Sequence, residues 1–396
     1  MFSKVKFYTI NFKKNFLSIL LCLFIICLLV FSKSNISAAK NGLSLWVNSV
    51  VPSLFPFFIA IELLNHTNVA HILGKLLNRF MKPIFNVPGI GAYIFIMGII
   101  SGYPTGAKIV TQFRENGMIT KAEGERLLTF TNNSGALFIL GTVGITLFGN
   151  STIGILLLLT HILACISVGI VFRFWKLNDT EKINSNNLNK NLKANSSNIL
   201  GSSISSSINT ILMIGGFIVL FSIIISILNT SKVLLILSNI FIPIMNFFNI
   251  DNKFCVPIIS GILELTNGIS LVAGLPNKLL STNIIISAFL LGFGGISVVL
   301  QIYAIIADTD ISIIPYILGK FLQGIFASFY TFVFINIFPF FNFDLVSVFS
   351  YDVNNLKYSN FYNYSSITAI VFLCLVFIVL ATKYIGNFKL KNLLKN

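Results

Sequence analysis

Residues 89–110 read GIGAYIFIMGIISGYPTGAKIV. An apolar run opens the stretch, Ser101-Gly102-Tyr103-Pro104-Thr105-Gly106 interrupts it, and Ala107-Lys108-Ile109-Val110 resumes it. A proline inside a helix removes one N–H donor and clashes with the carbonyl four residues earlier. Broken backbone at membrane depth survives only where it is buried in protein or lines a wet cavity. The stretch is therefore expected to enter a bilayer, turn at the Ser-Gly-Tyr-Pro-Thr-Gly break and return to its starting side as a re-entrant hairpin. Residues 254–272 repeat the pattern around Gly261-Ile262-Leu263-Glu264-Leu265-Thr266-Asn267-Gly268.

The rest of the chain supplies the spans. Residues 16–31 (FLSILLCLFIICLLVF), 152–160 with 162–172, 208–228, 283–306 and 366–385 are long apolar blocks. About 20 such residues cross ~30 Å of hydrocarbon as a helix. Charged residues make up 10% of the chain and the mean hydropathy is +0.89. Soluble domains carry about 25% charge, so that class is excluded. The first block follows Lys4, Lys6, Lys13 and Lys14, and Ile36-Ser37-Ala38-Ala39 resembles a cleavage site. Its length and the spans that follow favour an uncleaved first span over a signal peptide.

With the N-terminus placed inside, eight spans are expected, at about 16–32, 46–64, 131–148, 152–173, 208–229, 282–306, 316–340 and 366–385. Hairpin 89–110 enters from the inside and hairpin 254–272 from the outside. Residues 232–249 form a helix along the interface, and both termini are cytoplasmic. Of the 27 Lys and Arg, this layout leaves Lys33, Lys40, Lys232, Lys253, Lys278 and Lys357 outside. The other 21, Lys75, Arg79, Lys82, Lys108, Arg126 and Lys320 among them, fall inside. That asymmetry obeys the positive-inside rule, so the net charge of +15 points to membrane topology and not to nucleic acid.

A shift of 162 residues lays Val51-Pro52-Ser53-Leu54-Phe55 on Met213-Ile214-Gly215-Gly216-Phe217 and Tyr103-Pro104-Thr105-Gly106 on Leu265-Thr266-Asn267-Gly268. It also lays Thr131-Asn132-Asn133-Ser134-Gly135 near Phe293-Gly294-Gly295-Ile296-Ser297. The fold class expected is an all-α polytopic membrane protein, with two re-entrant hairpins in an inverted repeat. Segment 1–39 holds the first span, 40–175 the first repeat, 176–197 a polar linker, 198–306 the second repeat, and 307–396 two spans with a basic tail. Inverted repeats with interrupted helices are the layout of secondary transporters, whose site lies at the repeat interface.

The polar residues at the breaks are the candidates for solute contact: Ser101, Tyr103, Thr105, Lys108, Asn132, Asn133, Ser134, Thr266, Asn267 and Gln301. Half-helix ends expose unpaired N–H groups that suit an anion. The adjacent Asn132 and Asn133 have a plainer reading as caps and interhelical glue. Glu264 is a carboxylate in an apolar segment, a functional candidate by default. It can hold a coupling cation such as H+ or Na+, carry a proton, or pair with Lys108. Glu62 is a weaker coupling candidate. His161 reads as a packed side chain, and His66 and His71 lack further ligand-like neighbours, so no metal is expected. Cys22, Cys27, Cys165, Cys255 and Cys374 lie in apolar runs without a CxxC pair and read as buried small side chains. No phosphate loop, GxSxG elbow or paired-carboxylate site occurs, so neither an enzyme nor an ATP-driven pump is expected.

Gly42-Leu43-Ser44-Leu45-Trp46, Val51-Pro52-Ser53-Leu54-Phe55-Pro56-Phe57-Phe58 and Ser101-Gly102-Tyr103-Pro104-Thr105-Gly106-Ala107-Lys108 carry a resemblance over about 40–305. Glu125-Arg126-Leu127-Leu128 and Asn132-Asn133-Ser134-Gly135 complete it. The chain resembles the YlbJ-type sporulation integral membrane proteins, which carry the nucleoside-recognition or "gate" domain. The resemblance implies an endospore former, a place in the membrane around the developing spore, and movement of dipicolinate (pyridine-2,6-dicarboxylate) from mother cell toward forespore, in support of cortex and core maturation. Two other functions stay open: a nucleoside or nucleobase carrier, and a scaffold for spore envelope assembly that transports nothing. The partners expected are a small anion and membrane lipid, with a second copy or a sporulation membrane protein as further candidates. No organic cofactor is expected.

Overall fold

The computed structural model describes residues 12–65, 67, 69–177, 199–247, 250–276 and 279–337. The span expected at 366–385, nearly all of the linker 176–197, His66 and Cys374 lie outside the described residues.

The described residues form helices joined by turns and short loops, with no strand among them. Helix α1 (Phe12–Val30) meets α2 (Ser32–Leu45) at a 96° bend. A π-helical stretch (Trp46–Val50) leads on into α3 (Val51–Asn65). Helix α4 (Val69–Phe85) is amphipathic. Helices α5 (Gly91–Ser101) and α6 (Thr105–Glu115) follow. Then come α7 (Lys121–Thr131), a π-helical segment (Phe138–Leu147) and α8 (Ser151–Phe172).

The second half repeats this order. Helix α9 (Ile199–Thr230) precedes α10 (Val233–Phe247). The pair α11 (Cys255–Leu263) and α12 (Leu265–Ala273) comes next. Then α13 (Leu280–Phe293) breaks into α14 (Ile296–Ile306), and α15 (Ile314–Ile337) completes the described chain.

Four of these helices are long and apolar enough to cross a membrane: Ser151–Phe172, Ile199–Thr230, Leu280–Ile306 taken through its break, and Ile314–Ile337. The bent pair α1 and α2 makes a fifth. Large apolar side chains such as Ile19, Leu29, Leu212, Phe321 and Phe329 stand exposed on them. Among the described residues nothing packs over these surfaces, and they suit contact with lipid, as befits a multi-pass integral membrane protein. The segments read as spans at 46–64 and 131–148 are shorter apolar helices here, Leu54–Leu64 and Phe138–Leu147. The second is short because residues 132–135 leave the helix, with Asn132 in extended conformation.

Both interrupted segments fold back on themselves. A methyl group placed on Gly98 would sit 3.8 Å from Cα of Gly106, eight residues on. In a continuous helix those positions are about 12 Å apart at 1.5 Å per residue. A methyl group on Gly268 would overlap Cα of Gly261. Small residues on the inner faces let each hairpin close backbone to backbone, the device that drives helix packing where water cannot.

Each hairpin tip then nests in the break of the helix that follows it. Gly102 lies against Gly135, and Gly295 lies against the carbonyl of Gly261 and the amide of Leu265. Gly294 and Gly295 have φ of 84° and 87°, in the region that favours glycine, which is how α13 stops and α14 starts again in a new direction. Tyr103 packs against both hydrophobic cores, one built chiefly around α4 to α8 with α14 and the other around the π-helical segment 138–147, α8, α12, α13 and α15.

A polar knot fixes the first core. Buried Arg126 donates from Nε to the Trp175 carbonyl (2.7 Å), from Nη1 to that of Asn86 (2.8 Å) and from Nη2 to that of Lys176 (2.9 Å). The adjacent Glu125, fully buried, accepts from the Trp175 indole (2.7 Å) and pairs with Lys176 (2.8 Å). Together they tie α7 to the turn after α4 and to the end of α8. Arg126→Ala strands these carbonyls at the cost of charge-assisted bonds worth about 1.5–3 kcal/mol each. It should destabilise the fold by on the order of 3–5 kcal/mol, read as a lower melting temperature in detergent, and Arg126→Lys should recover only part of the loss.

Candidate functional site

The two hairpin tips and the two helix breaks meet around one cavity. Tip one contributes Ser101, Gly102 and Tyr103, and break one contributes Ser134 and Gly135. Tip two contributes Glu264, Leu265 and Thr266, and break two contributes Ser297, Val298 and Gln301. Leu45, Val50 and Leu54 wall it from one side, Ile214 and Ile218 of α9 from another, and Phe138 and Thr142 complete the lining. Hydroxyl, amide and carboxylate groups are thus set into apolar walls, the usual make-up of a small-molecule site.

Three helix N-termini lie at this junction, and each is treated differently. Helix α12 is capped by Glu264, whose Oε1 accepts from the Thr266 amide (3.0 Å) and Oε2 from the Asn267 amide (2.8 Å). Helix α6 is capped across the hairpin by Asn132, whose Oδ1 accepts from the Ala107 amide (3.4 Å). Helix α14 starts at Gly295 with no side-chain cap, and its first residues Ser297 and Val298 face the cavity. The first amides of a helix have no partner within it.

Six of the residues singled out in the sequence line the cavity: Ser101, Tyr103, Ser134, Glu264, Thr266 and Gln301. The others sit elsewhere. Thr105 donates its hydroxyl to Ser101 Oγ (2.9 Å). Asn267 meets Glu264 through its backbone. Lys108 does not reach Glu264: its ammonium pairs with Glu62 and donates to Ser206 Oγ (2.9 Å) and Thr210 Oγ1 (3.0 Å), fastening the first hairpin to α3 and α9. Glu62 and Lys108 therefore satisfy each other away from the cavity lining. Asn132 also donates to the Tyr316 hydroxyl (3.0 Å), so in this structure it acts as a cap and as interhelical glue.

Asn133 points behind the cavity into a buried polar cluster. Its Nδ2 donates to the Phe130 carbonyl (2.7 Å), and its Oδ1 receives Lys320 Nζ, Gln323 Nε2 and Cys165 Sγ, each at 3.1 Å. His161 is buried in the same cluster, 3.4 Å from Gln323 Nε2. Lys320 corrects the charge count: it stands there among the charges on the inside, yet it is fully buried in α15. The signal was present in the sequence, a single lysine inside an otherwise uncharged apolar stretch of 24 residues. Among the described residues no group of His, Cys, Asp and Glu could hold a metal ion.

Comparison with known proteins gives this geometry a family. Residues 47–174 and 211–310 match the Gate (nucleoside recognition) family model, and every cavity-lining residue except Leu45 falls within those ranges. The chain is 36% identical over 312 residues to "Sporulation integral membrane protein YlbJ" of Bacillus subtilis (strain 168), covering 75% of this chain and 76% of that protein. With both hairpins and both breaks inside the matched ranges, the chain belongs to the nucleoside-recognition (Gate) family of membrane proteins.

Proposed function

We propose that this chain is a sporulation membrane carrier, not an enzyme, that moves dipicolinate or a similar small anion from the mother cell toward the forespore. Its place would be the outer forespore membrane, with both termini in the cytoplasm. The observation that carries the reading is the cavity built by both hairpin tips and both breaks, the position expected of a carrier site between repeats. The uncapped start of α14 offers backbone amides to a carboxylate, and Ser134, Thr266 and Gln301 add hydrogen-bonding groups. The relative's name supports the sporulation role. Alternating exposure of the cavity would come from movement of the two hairpins.

Glu264 decides how a dianion enters. Two like charges in one low-dielectric site repel strongly, so a proton or sodium ion must accompany the solute to Glu264. A second reading has its own support: among the described residues the cavity is lined by one carboxylate and by no lysine or arginine, which suits a neutral nucleoside. Purified protein in liposomes separates the two. Saturable dipicolinate uptake, stimulated by an inward proton or sodium gradient and not blocked by uridine, is the expected result. Uridine uptake without dipicolinate uptake would assign the site to nucleosides. No flux of either through folded protein would favour the scaffold.

A further inference from the structure

We propose that Lys320 is a specificity-determining residue of this cavity: its ammonium, held against the Tyr103 ring, makes the site select anionic over neutral solutes. The inference rests on the carrier reading above.

Lys320 lies 0% exposed in the first third of α15, its seventh residue. A buried ammonium is costly unless its donors are met, and here two of the three find oxygen acceptors. Nζ donates to Gln323 Oε1 at 2.7 Å and to Asn133 Oδ1 at 3.1 Å. It also lies 5.2 Å from the centroid of the Tyr103 ring and 5.7 Å from that of Tyr316, within cation–π range. The amides are oriented for this task. Gln323 Nε2 is engaged by Asn133 Oδ1 (3.1 Å) and Cys165 Sγ (3.0 Å), which leaves Oε1 to face the ammonium.

Among the described residues no carboxylate pairs with Lys320. Its neighbours are amide oxygens, two aromatic faces, and Cys165 and His161 of α8. A structural ion pair would cancel its own field; this lysine is surrounded by neutral groups, so the charge of its protonated form acts on its surroundings. Tyr103 is the shared element: it lines the cavity, which Lys320 does not, and its ring centroid is 5.2 Å from Lys320 Nζ. The cavity's own charged side chain is Glu264, which repels an anion. The lysine outside the lining supplies the opposing positive potential in a medium too apolar to screen it.

The test uses the full chain in liposomes and two probes of nearly equal shape, the dianion pyridine-2,6-dicarboxylate and the neutral pyridine-2,6-dicarboxamide. Wild type should prefer the dianion. Lys320→Gln should cut dianion uptake by about tenfold or more, the size of one unit charge acting across roughly 10 Å at an effective dielectric of about 20, and leave diamide uptake unchanged. Lys320→Arg should retain the preference. Asn133→Asp sets a carboxylate against the ammonium without changing volume and should lower the preference in the same way, so it carries the test if Lys320→Gln fails to assemble. A preference that survives in folded Lys320→Gln or Asn133→Asp overturns the assignment to Lys320 alone. So does an equal fall of both probes in the folded variants, which is what a merely structural lysine would give. A wild type that moves only the diamide, or neither probe, overturns the anion-carrier reading and this proposal with it.

Discussion

Glu264→Gln is expected to abolish gradient-driven solute uptake while the protein still assembles. The carboxylate now accepts two backbone amides, those of Thr266 and Asn267, one on each oxygen. Glutamine keeps one acceptor oxygen and turns an NH2 group toward the second amide, so one of the two capping bonds is lost. Caps of this kind are worth about 1 kcal/mol, too little to unfold a protein with two extensive cores. The larger loss is the negative charge inside the cavity, which is what a coupling proton or sodium ion would meet. The measurement is uptake in liposomes with and without a gradient, beside size-exclusion behaviour in detergent. Retained gradient dependence in the variant would reduce Glu264 to a helix cap. Glu264→Ala removes both capping bonds and should lower the melting temperature as well.

Gly98→Ala should cost more stability than any other single methyl group in the first repeat. The added carbon would overlap the Thr131 carbonyl oxygen, and Gly106 approaches the same oxygen from the other arm, where a methyl would lie 2.5 Å away. Thr131 is the last residue of α7 before the break, so the first hairpin clasps the end of the helix whose break helps form the cavity. Relief requires moving backbone against backbone, which no rotamer change can supply. Overpacking usually costs 1–3 kcal/mol; with backbone on both sides, about 3 kcal/mol or more is expected. Gly216→Ala is the control, because nothing lies within 4 Å of its added carbon in α9. It should be neutral or stabilise by about 0.5–1 kcal/mol through helix propensity. Thermal melts of both variants in detergent check the contrast, and equal melting temperatures would show that the clasp yields easily.

Two of the four breaks were legible and two were not. Gly102 and Pro104 act through their own backbone, so their meaning is local and can be read without knowing the fold, whereas 132–135 and Gly294-Gly295 fall inside segments read as continuous spans, 131–148 and 282–306, and only the structure stops those helices there. The apolar runs are equally local, because bilayer thickness sets a length that a single helix must satisfy. The motif residues that carried the family resemblance lie in these same stretches, and the family match covers them. Glu264 could be singled out for a comparable reason: an acidic side chain inside an apolar segment is conspicuous whatever surrounds it.

Side-chain direction was not legible. Asn132 and Asn133 are adjacent, yet one caps α6 and bonds Tyr316 while the other turns to Lys320, Gln323 and Cys165. Lys108 was free to be assigned to Glu264 until Glu62 was found beside it. Lys320 was counted with the inside charges although it falls within the expected span 316–340, and a lysine's long apolar stem lets either placement stand on sequence alone. Which of these happens depends on residues up to 190 positions away in the chain, for example Asn133 with Gln323. The sequence by itself therefore determined that this chain lives in a membrane, where its two hairpins turn back, and which family it joins. Only tertiary structure decided which polar groups share the cavity and which satisfy one another behind it. In an apolar medium every buried donor and charge must find a partner, and those partners sit on helices that only folding brings together.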